Sequence, residues 1–133
     1  MKYKILIVDD EEDIRQVVGK FLVSNGYDVL TAEDGAKGWE IIQKQTPDLI
    51  ILDLVMPIMD GVELLKKIKE HPSFQEIPVI LLTGKSSDKD VLSGYAWGAD
   101  YYITKPFKMQ TIIAGVKMML EENKGGPKKY KIE

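Results

Sequence analysis

Short apolar runs alternate with segments of helical periodicity along the chain, and this alternation constrains the fold more than any other feature. Five runs have the composition of β-strands and end at a polar residue or a turn: Tyr3–Val8, Val29–Ala32, Leu49–Leu52, Pro78–Leu82 and Tyr101–Ile103. Leu49–Leu52 and Pro78–Leu82 are apolar throughout, which is typical of strands that are covered on both faces of a parallel sheet.

Segments with helical periodicity follow these runs, and we predict five helices: Asp13–Asn25, Gly35–Gln45, Val62–Glu70, Asp88–Trp97 and Met109–Glu122. The first has apolar residues at the spacing of an amphipathic helix: Ile14, Val17, Val18, Phe21 and Leu22. In the second, Ala36, Trp39 and Ile42 are predicted to share the buried face. Gly26 and Gly98 are predicted to end the first and fourth helices. Strict alternation of five strands and five helices predicts one α/β domain with a doubly wound parallel sheet and right-handed crossovers.

The composition excludes several classes of function. The 133 residues contain no cysteine and one histidine, His71, so a disulfide framework and a thiolate or His-rich metal site are excluded, and a reducing cytoplasm fits. A net charge of −3 and a single arginine, Arg15, argue against direct nucleic-acid binding. No apolar run approaches the roughly 20 residues of a membrane span. We therefore expect a cytoplasmic protein with no membrane contact.

Residues whose side chains can take part in catalysis or ligand binding follow the ends of four predicted strands. Asp9 and Asp10 follow the first, Asp53 the third, Thr83 the fourth and Lys105 the fifth. In open α/β sheets, ligands bind beyond the carboxyl ends of the strands. Each residue alone has an ordinary explanation, since acidic pairs are usually solvated or favour a helix N-terminus, threonines occur in turns, and lysines lie at the surface. Their coincidence at one edge favours a functional site.

Elementary chemistry indicates what such a site could do. Three close carboxylates repel one another unless a cation lies among them. Mg²⁺ prefers carboxylate, carbonyl and water oxygens and leaves positions open for phosphate. A carboxylate can also act as a nucleophile and form an aspartyl phosphate, while a metal and a lysine neutralise the charge of the transferred group. The constellation therefore predicts a phosphoryl-transfer site.

Four segments carry a family resemblance: ILIVDDEEDIR, LIILDLVMPIMDG, PVILLTG and YYITKPF. In order and spacing they resemble the signature segments of response-regulator receiver domains, over about Lys4 to Glu122. The resemblance implies a flavodoxin-like fold with strand order 2-1-3-4-5. It also implies a receiver domain over residues 1–122, followed by a polar tail or the start of a linker over residues 123–133.

The resemblance further implies roles for the residues that bind metal and phosphate. Asp53 would accept the phosphoryl group, and Lys105 would bind its oxygens. Mg²⁺ would be held by Asp10, Asp53 and the backbone carbonyl of Val55, with Asp9 acting mainly through metal-bound water. The apolar side chain of Val55 offers nothing to orient an attacking water, which favours a phosphoryl group of longer life.

Other roles concern catalysis and switching. Thr83 would be the catalytic and switch hydroxyl that bonds the phosphoryl group, and Tyr102, which follows Tyr101, would be the aromatic residue that moves with it. Gly84 would leave space for a small phosphodonor. The bond between Lys105 and Pro106 would be cis.

The implied function is a signalling switch rather than an enzyme with a separate substrate. A sensor histidine kinase or a phosphotransfer protein would donate to Asp53. The face formed by the fourth helix, fifth strand and fifth helix would then bind an output protein or effector domain, and phosphorylation could also favour a homodimer. On that face we expect contributions from Trp97 and Tyr95. The alternative is that Trp97 covers the last helix near Ile112 or Val116.

Three other functions fit the sequence less well. A Mg²⁺-dependent aspartyl-phosphate phosphatase usually has an Asp-x-Asp pair after the first strand, whereas Asp9 and Asp10 are adjacent. A flavodoxin-like binding protein needs a phosphate-binding loop at the position where this chain has DDEED, which would repel phosphate. A degenerate receiver is disfavoured because all the signature residues are present.

Overall fold

Five parallel strands form one sheet in the computed structural model, which describes residues 2–56, 59–85 and 87–122. The strands are β1 (Lys4–Val8), β2 (Asp28–Ala32), β3 (Leu49–Leu52), β4 (Val79–Thr83) and β5 (Tyr101–Thr104). Their order in the sheet is β2-β1-β3-β4-β5, and every neighbouring pair is parallel. The predicted fold class and strand order are therefore confirmed.

Four helices connect the strands and a fifth follows β5: α1 (Glu12–Ser24), α2 (Gly35–Lys44), α3 (Gly61–Glu70), α4 (Asp88–Ala96) and α5 (Met109–Lys117). Their bounds agree with the predicted bounds to within one residue except at the end of α5, which continues as a π-helical turn over Met118–Glu122. Gly26 and Gly98 follow α1 and α4 with φ of +94° and +107°, a region that only glycine enters readily. Among the described residues, no helix is long and apolar enough to span a membrane.

Side chains of alternate strand residues fill two apolar layers, one on each face of the sheet. The first layer lies under α2 and α3 and includes Leu6, Val8, Ile50, Leu52, Leu64 and Leu81. The second lies under α1 and α5 and includes Ile5, Ile7, Ile51, Leu82, Ile112 and Val116. Full burial of each such side chain stabilises the fold by roughly 1.5–3 kcal/mol. The two layers fix the sheet, and hence the positions at which its strands end.

In two helices, one residue of the predicted apolar face is exposed to solvent. In α2, the buried residues are Gly35, Gly38 and Ile42, whereas Ala36 is exposed. The prediction for Ala36 was wrong because glycine packs closest to the sheet here, and a Cβ on Gly38 would lie 3.1 Å from Cγ2 of Val8. In α1, Val17 is likewise 52% exposed.

The two tryptophans pack against the first layer. Trp39 of α2 is partly buried there, with its ring edge-on to Phe74 at a centroid distance of 5.7 Å, which confirms its predicted packing role. Trp97 also packs on this layer, and Nζ of Lys66 in α3 lies 5.6 Å from its ring centroid. Ile112 and Val116 belong to the opposite layer, so the expectation that Trp97 covers them is wrong.

A mostly buried lysine, Lys69, lies at the amino edge of the sheet, where the strands begin. Lys69 Nζ donates to Asp100 Oδ2 at 3.0 Å and to the backbone carbonyls of Ile77 at 2.7 Å and Gln75 at 3.3 Å. The same Asp100 oxygen accepts the N–H of Val79 at 2.8 Å. Lys69 thus joins the end of α3 to the starts of β4 and β5.

Candidate functional site

Four carboxylates meet at the carboxyl edge of the sheet. Asp9 and Asp53 are buried, at 2% and 5% exposure, because each directly follows a central strand. Asp10 and Glu11 are exposed beside them. Each of the four side chains offers an oxygen, and these oxygens all lie within 4.8 Å of one another. The structure therefore brings together the three aspartates that the strand-end argument selected.

Lys105 reaches into this cluster from the segment after β5. Its Nζ lies 2.9 Å from Asp9 Oδ2, 3.0 Å from Glu11 Oε1 and 3.2 Å from Asp53 Oδ2. The side chain is only 15% exposed, and the Lys105–Pro106 peptide bond is cis, as expected. One ammonium group thus bridges acids that follow β1 and β3.

Local hydrogen bonds orient the two buried aspartates. Asp9 Oδ1 accepts the N–H of Glu11 at 2.9 Å, and Arg15 Nη1 of α1 donates to the backbone carbonyl of Asp9 at 2.7 Å. Asp53 Oδ1 accepts the N–H of Val55 at 3.2 Å. Each carboxylate therefore has one oxygen held by its own turn and the other on Lys105.

Gly61, the first residue of α3, allows the helix to pack directly on the segment that carries Asp53. A Cβ at Gly61 would lie 2.0 Å from the backbone oxygen of Asp53 and 2.5 Å from Cα of Leu54. The Gly61 N–H donates to the Leu54 carbonyl at 3.0 Å. Only a residue without a side chain fits this approach. In the sequence, Pro57 and Gly61 bracket the turn that carries the chain away from Asp53, and Pro57 lies outside the described residues.

The charges at the site are not balanced. Burial raises the pKa of Asp9 above its ordinary value, and the charge of Asp53 adds to this effect, although the Glu11 N–H and Lys105 oppose it. Burial alone would lower the pKa of Lys105, but hydrogen bonds to Asp9 and Glu11 and the charges of Asp53 and Asp9 outweigh burial and raise it. The pKa of Lys105 is raised because one ammonium group faces several carboxylates, whereas the pKa of Asp9 is raised mainly because its carboxyl group is buried.

Thr83 and Tyr102 are linked through one backbone residue. Thr83 is fully buried and lines a cleft of about 320 Å³ together with Asp53 and Lys105. The N–H of Lys85 lies 3.5 Å from Thr83 Oγ1, and the Tyr102 hydroxyl donates to the Lys85 carbonyl at 2.6 Å. Burial, followed by the charges of Asp90 and Asp53, raises the pKa of Tyr102 to about 12, so its hydroxyl stays protonated as a donor.

The structure separates the two adjacent tyrosines of β5. Tyr102 packs on the first apolar layer, and its ring would contact a Cβ on Gly94 of α4 at 2.9 Å. Tyr101 packs on the second layer, beside Gly115 of α5. Tyr102, and not Tyr101, therefore lies between the Thr83 segment and α4. A Cβ on Gly84 would meet no atom within 4 Å, so the site is open on that side.

Glu11 is the site residue whose position sequence reasoning missed. An acid at this position is ordinarily explained by the N-terminus of the first helix, yet the Glu11 side chain makes no capping hydrogen bond and contacts Lys105 instead. The signal in the sequence was a third acid directly after Asp9 and Asp10. Its direction could not be read, because side-chain direction at a helix start depends on tertiary partners.

The donor set fits a hard divalent cation. All four side chains of the cluster supply carboxylate oxygens, and two of the residues are buried. Oxygen ligands of this kind suit Mg²⁺, Ca²⁺ or Mn²⁺ rather than zinc, which prefers nitrogen and sulfur. The cluster could therefore hold a metal ion of the Mg²⁺ type.

A doubly wound sheet with this acidic edge, its lysine and its buried threonine defines the receiver class of signalling domains. Residues 5–117 match the family model for the response regulator receiver domain, and the chain belongs to this family. It is thereby a receiver domain of the two-component response-regulator family.

Similar proteins carry receiver domains in different settings. The chain is 39% identical over 123 residues to the alkaline phosphatase synthesis transcriptional regulatory protein PhoP of Bacillus subtilis (strain 168), a match that covers 92% of this chain and 50% of that protein. The chain thus spans half the length of this relative. The chemotaxis protein CheY4 of Vibrio cholerae has a TM-score of 0.85 and 35% identity, with 90% of this chain and 100% of that chain covered. The signal receiver domain of a histidine kinase from Syntrophus aciditrophicus has a TM-score of 0.85 and 34% identity, with 98% of this chain and 99% of that chain covered.

Proposed function

We propose that the chain is a Mg²⁺-dependent phospho-switch that accepts a phosphoryl group on Asp53 from a sensor histidine kinase or a phosphotransfer protein. The observation that carries the proposal is the environment of Asp53. Its carboxylate is buried, contacts Lys105 and lies within 4.8 Å of acidic oxygens that can share a cation with it.

The transfer would use the carboxylate of Asp53 as nucleophile. A bond forms between one oxygen of Asp53 and phosphorus, the bond between phosphorus and the donor breaks, and its electron pair leaves with the donor. Lys105 would exchange a carboxylate partner for a phosphoryl oxygen. When bound, Mg²⁺ neutralises charge and orients the phosphoryl group. Asp9, Asp10, Asp53 and the Val55 carbonyl would hold it.

The switch would run from Thr83 to Tyr102. The Thr83 hydroxyl would hydrogen-bond the phosphoryl group. This bond would pull on the segment that contains Lys85, whose backbone contacts both Thr83 and Tyr102. A small displacement here would shift the population between two packed states of the face formed by α4, β5 and α5. Tyr95 lies on this route, with its ring centroid 6.5 Å from that of Tyr102. Because Trp97 packs towards α3, we do not include it in the face formed by α4, β5 and α5.

That face would bind an output protein or an effector domain, or a second copy of the chain. Residues 1–122 would form the receiver, and residues 123–133, which lie outside the described part, would begin a tail or a linker. The relative from Bacillus subtilis, twice the length of the matched part, supports a linked effector domain. The proposed setting is the cytoplasm, without direct nucleic-acid or membrane contact by this domain.

The test is chemical. With MgCl₂ and acetyl phosphate, the chain should gain the mass of one phosphoryl group, and hydroxylamine should remove it. Asp53→Asn should abolish the gain, whereas Asp28→Asn, at an exposed position on β2, should not. Undiminished labelling of Asp53→Asn would show that the acceptor lies elsewhere.

A further inference from the structure

The side chain of Glu11 is used in an unusual way for a helix N-cap residue. Glu11 has the extended backbone of an N-cap, with φ −87° and ψ 113°, but its carboxylate does not cap α1. It lies instead on Lys105 Nζ at 3.0 Å, while its side chain remains 57% exposed. Attraction to the N-terminus of α1 therefore does not explain the position of the Glu11 carboxylate.

Lys105 has no donor to spare for a phosphoryl oxygen. An ammonium group has three N–H donors. In the described part of the chain, Lys105 has one acceptor for each: Asp9, Glu11 and Asp53. If Lys105 is to bind a phosphoryl group on Asp53, one of these carboxylates must withdraw.

Glu11 is the acid that can withdraw at least cost. Asp9 is 2% exposed and also holds the Glu11 N–H, so moving it would break the turn before α1. Asp53 carries the incoming group. Glu11 already faces water, and rotation of its side chain would expose a charge that solvent accepts readily.

We propose that Glu11 is a positioning residue that restrains Lys105 in the unphosphorylated site and releases it to the phosphoryl group. The inference rests on the proposed function of Asp53. Two opposite effects follow from removing the Glu11 charge. Phosphoryl acceptance becomes faster, because Lys105 is free and an anionic donor is repelled less. Mg²⁺ binding becomes weaker, because one of the acids near the metal site is gone and Lys105 pairs more fully with the others.

The experiment compares Glu11→Gln with Glu12→Gln. The control removes the same charge one residue away, at an exposed glutamate that contacts Gln16 rather than Lys105. Initial rates of mass gain with acetyl phosphate at saturating MgCl₂ should rise roughly two- to fivefold in Glu11→Gln, in keeping with a largely exposed ion pair. The Mg²⁺ dissociation constant, measured by calorimetry, should rise by a similar factor. Glu11→Asp should restore part of both effects.

The outcomes separate this inference from the proposed function. If wild-type protein gains no phosphoryl mass, the proposed function falls and this inference with it. If wild type is labelled and the two variants have equal rates, or if Glu11→Gln is slower than wild type, only the restraint by Glu11 is overturned.

Discussion

Two mostly buried lysines lie at opposite edges of the same sheet, and their surroundings differ. Lys69 at the amino edge is 13% exposed and donates to Asp100 and to neutral backbone carbonyls. Lys105 at the carboxyl edge is 15% exposed and meets three carboxylates. At the amino edge, the lysine pairs with one carboxylate and with backbone carbonyls. At the carboxyl edge, the carboxylates carry more negative charge than the single lysine can neutralise. Among the described residues, the cluster of acidic oxygens that could hold a cation lies at the carboxyl edge.

The largest expected effect is at the amino edge. Lys69→Met should destabilise the chain by about 3–5 kcal/mol, because Asp100 would keep its charge in a buried place without this lysine. Urea unfolding measures the loss, and saturating MgCl₂ should not restore it. Lys44→Met, at an exposed pair on α2, should stay within about 0.5 kcal/mol. A loss below about 1 kcal/mol in Lys69→Met would break the contrast between the two edges.

The second effect is at the carboxyl edge and depends on metal. At a hundredfold excess over its dissociation constant, Mg²⁺ should stabilise wild type by about 2.7 kcal/mol, since it binds only the folded chain. Asp10→Asn should remove most of this gain and raise the stability of the metal-free protein, because one of several repelling charges is gone. Thermal melts with and without MgCl₂ measure both changes. Asp13→Asn, outside the cluster, should behave as wild type, and a wild-type melt unaffected by Mg²⁺ would contradict the metal site.

A third experiment concerns the glycine that supports the acceptor segment. Gly61→Ala should cost roughly 1–3 kcal/mol, because its Cβ would overlap the backbone of Asp53 and Leu54. It should also slow labelling of Asp53 more than the loss of stability explains, since the carboxylate would be displaced. Gly84→Ala is the control for stability, as its Cβ would meet no atom within 4 Å. Equal unfolding midpoints for the two variants would show that the close approach at Gly61 can relax.

The smallest effect tests whether contacts remote from the site leave its chemistry untouched. Tyr27, just before β2, donates its hydroxyl to Glu121 after α5. Tyr27→Phe should lower the free energy of unfolding by about 1 kcal/mol and leave the labelling rate unchanged. Burial, then the hydrogen bond and charge of Glu121, raises the pKa of Tyr27. A raised pKa means that this contribution is complete below the ordinary tyrosine pKa and is lost as pH rises through the folded value. The difference between the two proteins should therefore be constant between about pH 6 and pH 9.

The sequence was sufficient for the fold because strand and helix periods differ and alternate throughout. It was also sufficient to select Asp9, Asp53 and Lys105, since parallel strands end at one edge and whatever follows them must meet. The sequence was insufficient to predict close packing at a glycine such as Gly38. A hydrophobic pattern is read from apolar side chains, and glycine has none.

Side-chain direction was the second thing that the sequence could not supply. The sequence pattern assigns Glu11 to the start of a helix and gives no direction for its side chain. Its contact with Lys105 is explained by the position of that lysine in the folded chain. Trp97 was placed on the wrong side because one position at the end of a helix can face either of two neighbours. Its ring lies beside Lys66 of α3, a contact between two helices that the local sequence pattern does not contain.

The location of both tryptophans on one apolar layer has a spectroscopic consequence. Trp39 and Trp97 belong to the layer under α2 and α3, and neither lines the cleft at Asp53. Direct quenching of their emission by a metal ion or a phosphoryl group is therefore not expected. A change in emission on phosphorylation would instead report that helices had moved against the sheet. Tryptophan emission would thus distinguish a conformational change from ligand occupancy.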